Sequence, residues 1–167
     1  MLTPLLLLTQ FAMAGSEIGT EKMLGAGVVT GDPYIGVTGK YWINDKSGIA
    51  AFLGTSVVFH TLRGSFESEF MTVGEDWDFG QLPVYWHADV EVGAYFLRNQ
   101  GVYPRVAAGG GVGTAFQLDM LPVEAYANVG ILAGYNGYCG AYGAYSPLRS
   151  VFCYVRPTVW AGGRWYF

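Results

Sequence analysis

The side chains best equipped for chemistry are His87, Asp89 and Glu91, spaced two apart in one stretch. An imidazole and two carboxylates can ligate a metal or relay a proton. In an extended chain, however, alternate side chains stand about 6.8 Å apart, so the three cannot reach one ion without ligands from neighbouring strands. The same apparent face of the chain carries Lys40, Arg63, Arg105, Arg156 and Arg164 against Glu67, Glu69, Asp89, Glu91 and Glu124. The signs balance. Buried charges persist only when paired and hydrogen-bonded, so the expectation is an ion-pair network with no catalytic residue, metal or cofactor. A proton- or ion-conducting path and a metal or catalytic site are the competing readings.

Two glycine clusters invite comparison with phosphate-binding loops. In Gly25-Ala26-Gly27-Val28-Val29-Thr30-Gly31 the third glycine comes one position late, and Asp32-Pro33 follows where a helix should begin. The helix N-terminus that cradles a phosphate is therefore missing. Gly109-Gly110-Gly111-Val112-Gly113 reads as a strand in which small residues leave room for bulky neighbours or permit bending. Cys139 and Cys153 are the only cysteines. An even count in an exported chain predicts a disulfide, with two unpaired thiols as the alternative.

Composition limits the scaffold that could hold these groups. Of 167 residues, 51% are hydrophobic and 16% aromatic, 25 are Gly and only 13% are charged, against about 25% charged in ordinary soluble domains. A disordered chain, a coiled coil and a charged helical bundle are excluded. With nine Lys and Arg and a net charge of -4, no nucleic-acid partner is expected, because phosphate binding needs clustered cations. Residues 1–14 read as a signal peptide, a Leu-rich stretch ending in Ala12-Met13-Ala14 and lacking the usual leading Lys or Arg. At that length it is too short for a spanning helix, which needs about 20 residues. Residues 15–167 form the one expected domain.

Within that domain the apolar residues recur with a period of two, the mark of strands with one apolar face. From Leu82 to Phe96 the even positions are apolar, while the odd ones include Tyr85, His87, Asp89 and Glu91. Turn signals divide the chain into eight predicted strands, 22–31, 34–43, 49–57, 59–72, 82–98, 102–117, 122–136 and 151–167. Eight antiparallel strands closing on themselves predict an all-β, up-and-down barrel with both termini at one end, which places Gly137–Ser150 in the longest loop at the other. Alternation does not say which face points inward, so a soluble lipocalin-like periplasmic barrel competes with a transmembrane one. Sparse charge on the polar face, and aromatic pairs such as Tyr41-Trp42, Tyr85-Trp86 and Tyr95-Phe96 at segment ends, favour lipid outside.

The final stretch, Val155 to Phe167, resembles the closing strand of bacterial outer-membrane barrels, in which the terminal aromatic is read by the barrel-assembly machinery; here that signal is Trp165 and Phe167. Gly25, Gly27, Gly31, Pro33, Gly36, Lys40 and Trp42 fit the G-x-G-x-x-x-G-x-P-x-x-G-x-x-x-K-x-W opening hairpin of a group of small, largely uncharacterised outer-membrane proteins. The resemblance implies an eight-stranded barrel of the outer membrane protein A and X type. It also implies the bacterial outer membrane as location, its lipids and lipopolysaccharide as surroundings, and the assembly machinery and periplasmic chaperones as partners during biogenesis. A monomer with a structural or surface-interaction role is expected. Some barrels of this size resemble lipid A deacylases, which place a His, a nearby Ser and an acid at the outer rim. Here His60 is followed by Thr61-Leu62-Arg63, and Ser56 is the nearest hydroxyl beyond it. The deacylase pattern is absent, and lipid hydrolysis stands as the alternative.

Overall fold

The computed structural model describes residues 18–31, 34–74, 77–97, 101–137 and 154–167. Eight strands follow one another: β1 Leu24–Gly31, β2 Tyr34–Trp42, β3 Ser47–Thr55, β4 Phe59–Val73, β5 Gly80–Leu97, β6 Gly101–Leu118, β7 Val123–Asn136 and β8 Tyr154–Tyr166. Each pairs antiparallel with its sequence neighbours, and β8 closes on β1 through Gly25↔Tyr166 to Gly31↔Trp160. All eight predicted strands are present. The fold class is an eight-stranded, antiparallel, closed up-and-down β-barrel. The signal segment, Gly15 and both cysteines lie outside the described residues.

Turn chemistry sets the hairpins. Between β2 and β3 the Asn44 side chain accepts the backbone N–H of Lys46 (2.9 Å) and Ser47 (2.8 Å), the local bonding that makes Asn a turn residue. The bend at Val57-Val58 is a tight hairpin closed by Ser56 N–H donating to Phe59 O at 2.7 Å. Gly74, leaving β4 with φ +81°, takes the left-handed conformation that side chains disfavour. One irregularity was not anticipated: between Glu69 and Met71 the β4–β5 register shifts in a bulge at Phe70.

Strand length is uneven. At about 3.4 Å per residue and a tilt near 40°, β1–β3 rise about 20–24 Å along the axis and the 18-residue β5 and β6 about 45 Å. The wall is therefore tall on the β5–β6 side. Below, the end that carries Phe167 and the β2–β3, β4–β5 and β6–β7 turns is called the terminal end; the other is the far end.

The two faces settle the sidedness that alternation left open. Val28, Val37, Leu53, Leu62, Val92 and Val106 point outward on six consecutive strands, each paired in register with the next, and all are about half exposed. Inward-facing residues are instead a mixture of charge, hydroxyl, aromatic ring and glycine. Several tyrosines lie directly opposite glycines across a strand pair, among them Tyr166 opposite Gly25, Tyr85 opposite Gly113 and Tyr126 opposite Gly162. A Cβ on Gly25 would sit 2.6 Å from the Tyr166 ring, and one on Gly113 2.7 Å from that of Tyr85. The glycines thus make floor space for rings that fill the lumen, the arrangement in which an aromatic covers a strand glycine.

Candidate functional site: the charged lumen

Four layers occupy the lumen. At the terminal end Ile18, Trp42 and Tyr166 pack together with Met23 beside them, so the segment before β1 folds under the barrel. Above them sits an ion quartet. Lys40 Nζ lies 2.7 Å from Glu67 and 3.9 Å from Glu124, and Arg164 lies 2.8 Å from Glu124 and 3.8 Å from Glu67. Two cations and two anions alternate, which offsets the cost of burying all four. Gln117 donates to Glu124 at 3.2 Å and Arg164 Nε donates to Thr38 at 3.2 Å. Lys40 also sits 3.8 Å over the Trp42 ring, and Arg164 3.9 Å over Tyr126; each adds a cation–π attraction.

The middle layer is built on Trp160, which is 1% exposed and packs with Val29, Ala50, Phe52, Tyr85, Ala115 and Tyr126. Phe52 meets it edge-on at 6.2 Å and His87 at 4.8 Å. His87 has both ring nitrogens engaged: Nδ1 with Asp89 Oδ2 at 3.0 Å and Nε2 with the Val129 carbonyl at 3.3 Å. The two contacts tie the ring to the wall, Nδ1 to a side-chain carboxylate and Nε2 to a backbone carbonyl. General-base chemistry has no opening there.

The third layer is an Arg–Glu–Arg triad. Glu91 Oε2 accepts from Arg63 Nη2 at 2.6 Å and Nε at 3.1 Å, and its Oε1 lies 2.6 Å from Arg105 Nη2. Arg63 and Glu91 are opposite in register, as are Gly93 and Arg105, so the pairing follows from strand alignment. Arg63 stacks on Trp160 at 4.4 Å, and Arg105 over Phe59 at 5.0 Å while donating to the Tyr95 hydroxyl at 3.3 Å. The fourth layer, the far mouth, holds a cavity of about 310 Å³ lined by Val58, Tyr95, Leu97 and Asn136.

The candidate residues thus divide by position. Lys40, Arg63, Glu67, His87, Asp89, Glu91, Arg105, Glu124 and Arg164 are buried in the lumen. Glu69 and Arg156 are half-buried and lie toward the two rims. Glu69 does not join the quartet: at the bulge it accepts the Thr72 hydroxyl instead. Glu91 is committed to two arginines, and among the described residues no three His, Cys, Asp or Glu gather as metal ligands. His60 faces outward, with its Nδ1 2.8 Å from the Thr55 hydroxyl and its ring 5.1 Å from Phe96. Thr55, not Ser56, is its hydroxyl partner, and that hydroxyl also donates to the Ser56 carbonyl at 3.3 Å. Trp165 and Phe167 face outward, and Phe167 N–H donates to Leu24 O at 2.9 Å. Trp160, Tyr85, Tyr126 and Phe52 were missed by a search for chemistry-bearing residues; their inward strand phase was the signal that could have found them.

No protein-family model matches the chain, and no curated protein matches it. Among solved structures it is similar to the N-terminal β-barrel domain of Pseudomonas aeruginosa OprF, with 15% identity and a TM-score of 0.61 over 87% of this chain and 98% of that one. Strand number and closure agree with that likeness, and the chain shares the eight-stranded closed-barrel fold of that domain.

Proposed function

We propose that the protein is an integral barrel of the bacterial outer membrane with a closed lumen, acting as a structural or surface-interaction element and not as an enzyme. The observation that carries this reading is the inversion of the two faces: an apolar exterior around a charged, ring-filled interior. A water-soluble barrel of the lipocalin kind needs the opposite arrangement, because an exposed apolar band of this extent is an aggregation or membrane surface. Outward-facing Trp86 and Phe96 are ten residues apart on β5, about 25 Å along the axis, the height of the apolar band between aromatic girdles. The terminal end is then periplasmic and the far end external.

Closure is the part of the proposal that concerns the lumen. It is supported by Trp160, buried among rings inside the barrel, and by the quartet and triad, which hold buried charges against one another. Eight strands leave an interior that side chains can fill. Export through residues 1–14, recognition of Trp165 and Phe167 by the assembly machinery, a Cys139–Cys153 bridge, a monomeric state and contact with lipopolysaccharide belong to the same proposal. Purified barrel in planar bilayers tests the closure: the expected trace is flat, and steady ohmic conductance at modest voltage contradicts it.

A further inference from the structure

The outward face is not equally tall all round. Every outward position on β5 from Leu82 to Phe96, and on β6 from Val102 to Leu118, is apolar or Gly except Thr114, whose hydroxyl donates to the Pro83 carbonyl at 3.1 Å. At about 2.6 Å of axial rise per residue these runs stand about 36 and 42 Å high, and the outward run from Ile35 to Ile43 on β2 and its turn about 21 Å. The apolar band of an outer-membrane barrel is about 25 Å tall, so β5 and β6 exceed it by about 11–17 Å. Part of the excess hangs below Trp86 as a hairpin, for β4 and β5 continue past the last β3 pair, Ser47↔Ser68, to Val73↔Leu82. The bulge at Phe70 decides which way that hairpin faces. Outward residues of β4 are even-numbered up to Ser68, but past the bulge Met71 and Val73 stand opposite outward Val84 and Leu82, and Thr72 opposite inward Pro83. The inserted residue thus keeps apolar side chains outside and polar ones inside, where Thr72 donates to Glu69 and Gln81 to Gln117 at 2.9 Å. At the tip Phe79 stacks on Trp77 at 5.4 Å and meets Phe116 at 6.0 Å. Met71, Trp77 and Phe79 are each about half exposed. A hairpin standing in water has no use for the barrel's sidedness, whereas one standing in lipid requires it.

We propose that the β5–β6 flank and its hairpin form a lipid-sorting surface, which draws the bilayer thicker on that side and favours lipids with long acyl chains. Acyl chain is the occupant because the face runs unbroken from the mid-barrel band, and the hairpin strands turn no charged side chain outward. A membrane meets an overlong apolar wall by thickening locally, at a cost that rises with each ångström of mismatch and that long chains relieve. The inference rests on the outer-membrane reading, and the experiment separates the two. Leu82→Cys, Val90→Cys and Asp45→Cys are made singly in a Cys139→Ser, Cys153→Ser background and placed one barrel per nanodisc, so that no second copy supplies the cover. Discs are made of dimyristoleoyl, dioleoyl or dierucoyl phosphatidylcholine, and alkylation by a water-soluble maleimide is timed. Val90→Cys, at mid-band, should be protected in every lipid, and Asp45→Cys, in the exposed β2–β3 turn, should react in every lipid. Leu82→Cys should react at least tenfold more slowly in the longest lipid than in the shortest, and in an equimolar mixture of those two its rate should lie nearer the long-chain one. Unboiled gel mobility checks folding, and Val73→Cys replaces Leu82→Cys if that variant fails the check. A Leu82→Cys rate that does not fall with chain length, whether fast or slow throughout, overturns the proposal while a protected Val90→Cys leaves the membrane reading standing. A reactive Val90→Cys overturns both.

Discussion

Replacing Glu91 by Gln removes one charge from the triad while keeping its shape. The two fully buried arginines lose a carboxylate at 2.6 Å from each. With charge centres about 4 Å apart and an effective dielectric near 20, each attraction is worth about 4 kcal/mol. The arginines are left to repel one another. Against this, a neutral amide is spared several kcal/mol of carboxylate desolvation, which brings the net loss to about 3–5 kcal/mol, as found when one partner of a buried pair is removed. Urea unfolding from lipid vesicles, followed by tryptophan fluorescence in both directions, measures it. The charge-free triple variant Arg63→Met, Glu91→Leu, Arg105→Met is the control: an apolar replacement of the whole triad should recover most of the loss, because no uncompensated ion remains. A Glu91→Gln cost below about 1 kcal/mol, or a triple variant as unstable as the single one, refutes the reasoning.

Further outcomes follow from the same lumen. Gly113→Val should cost about 1–3 kcal/mol by forcing the Tyr85 ring and the Asn128 side chain aside, measured by the same unfolding curve; an unchanged midpoint counts against the tyrosine-over-glycine packing. Trp160→Ala should cost about 3–5 kcal/mol as a truncated core aromatic, and Trp165→Ala, five residues along the same strand but outward, far less; equal costs contradict the inward assignment of Trp160. For the proposed Cys139–Cys153 bridge, alkylation without reduction should leave the mass unchanged, and reduction should remove about 3 kcal/mol of stability; an alkylated, unreduced protein contradicts the bridge.

Strand order, closure and the inward phase of the charges were legible because the period of two is strict where both faces are demanding, as from Leu82 to Phe96. Partner choice was not. Glu67 stands opposite His87 in register yet pairs with Lys40 two strands away, over Gly48 of the intervening β3, a contact that no single strand encodes. The bulge at Phe70 leaves no composition signal, which is why Glu69 was grouped with residues deeper inside. The lumen rings escaped for a different reason: a tyrosine or tryptophan reads alike on a lipid-facing and an inward face. Strand phase is what tells them apart, and for Tyr166, Tyr85 and Tyr126 a glycine register partner at 25, 113 or 162 marks the inward face as well.

The membrane assignment rests on which face of the barrel meets lipid, and it is tested most directly on unheated native membranes. After alkaline carbonate extraction the protein should remain in the outer-membrane pellet, and unboiled and boiled samples should migrate differently on a denaturing gel. Release into the soluble periplasmic fraction, with one mobility whether or not the sample is boiled, would contradict the account.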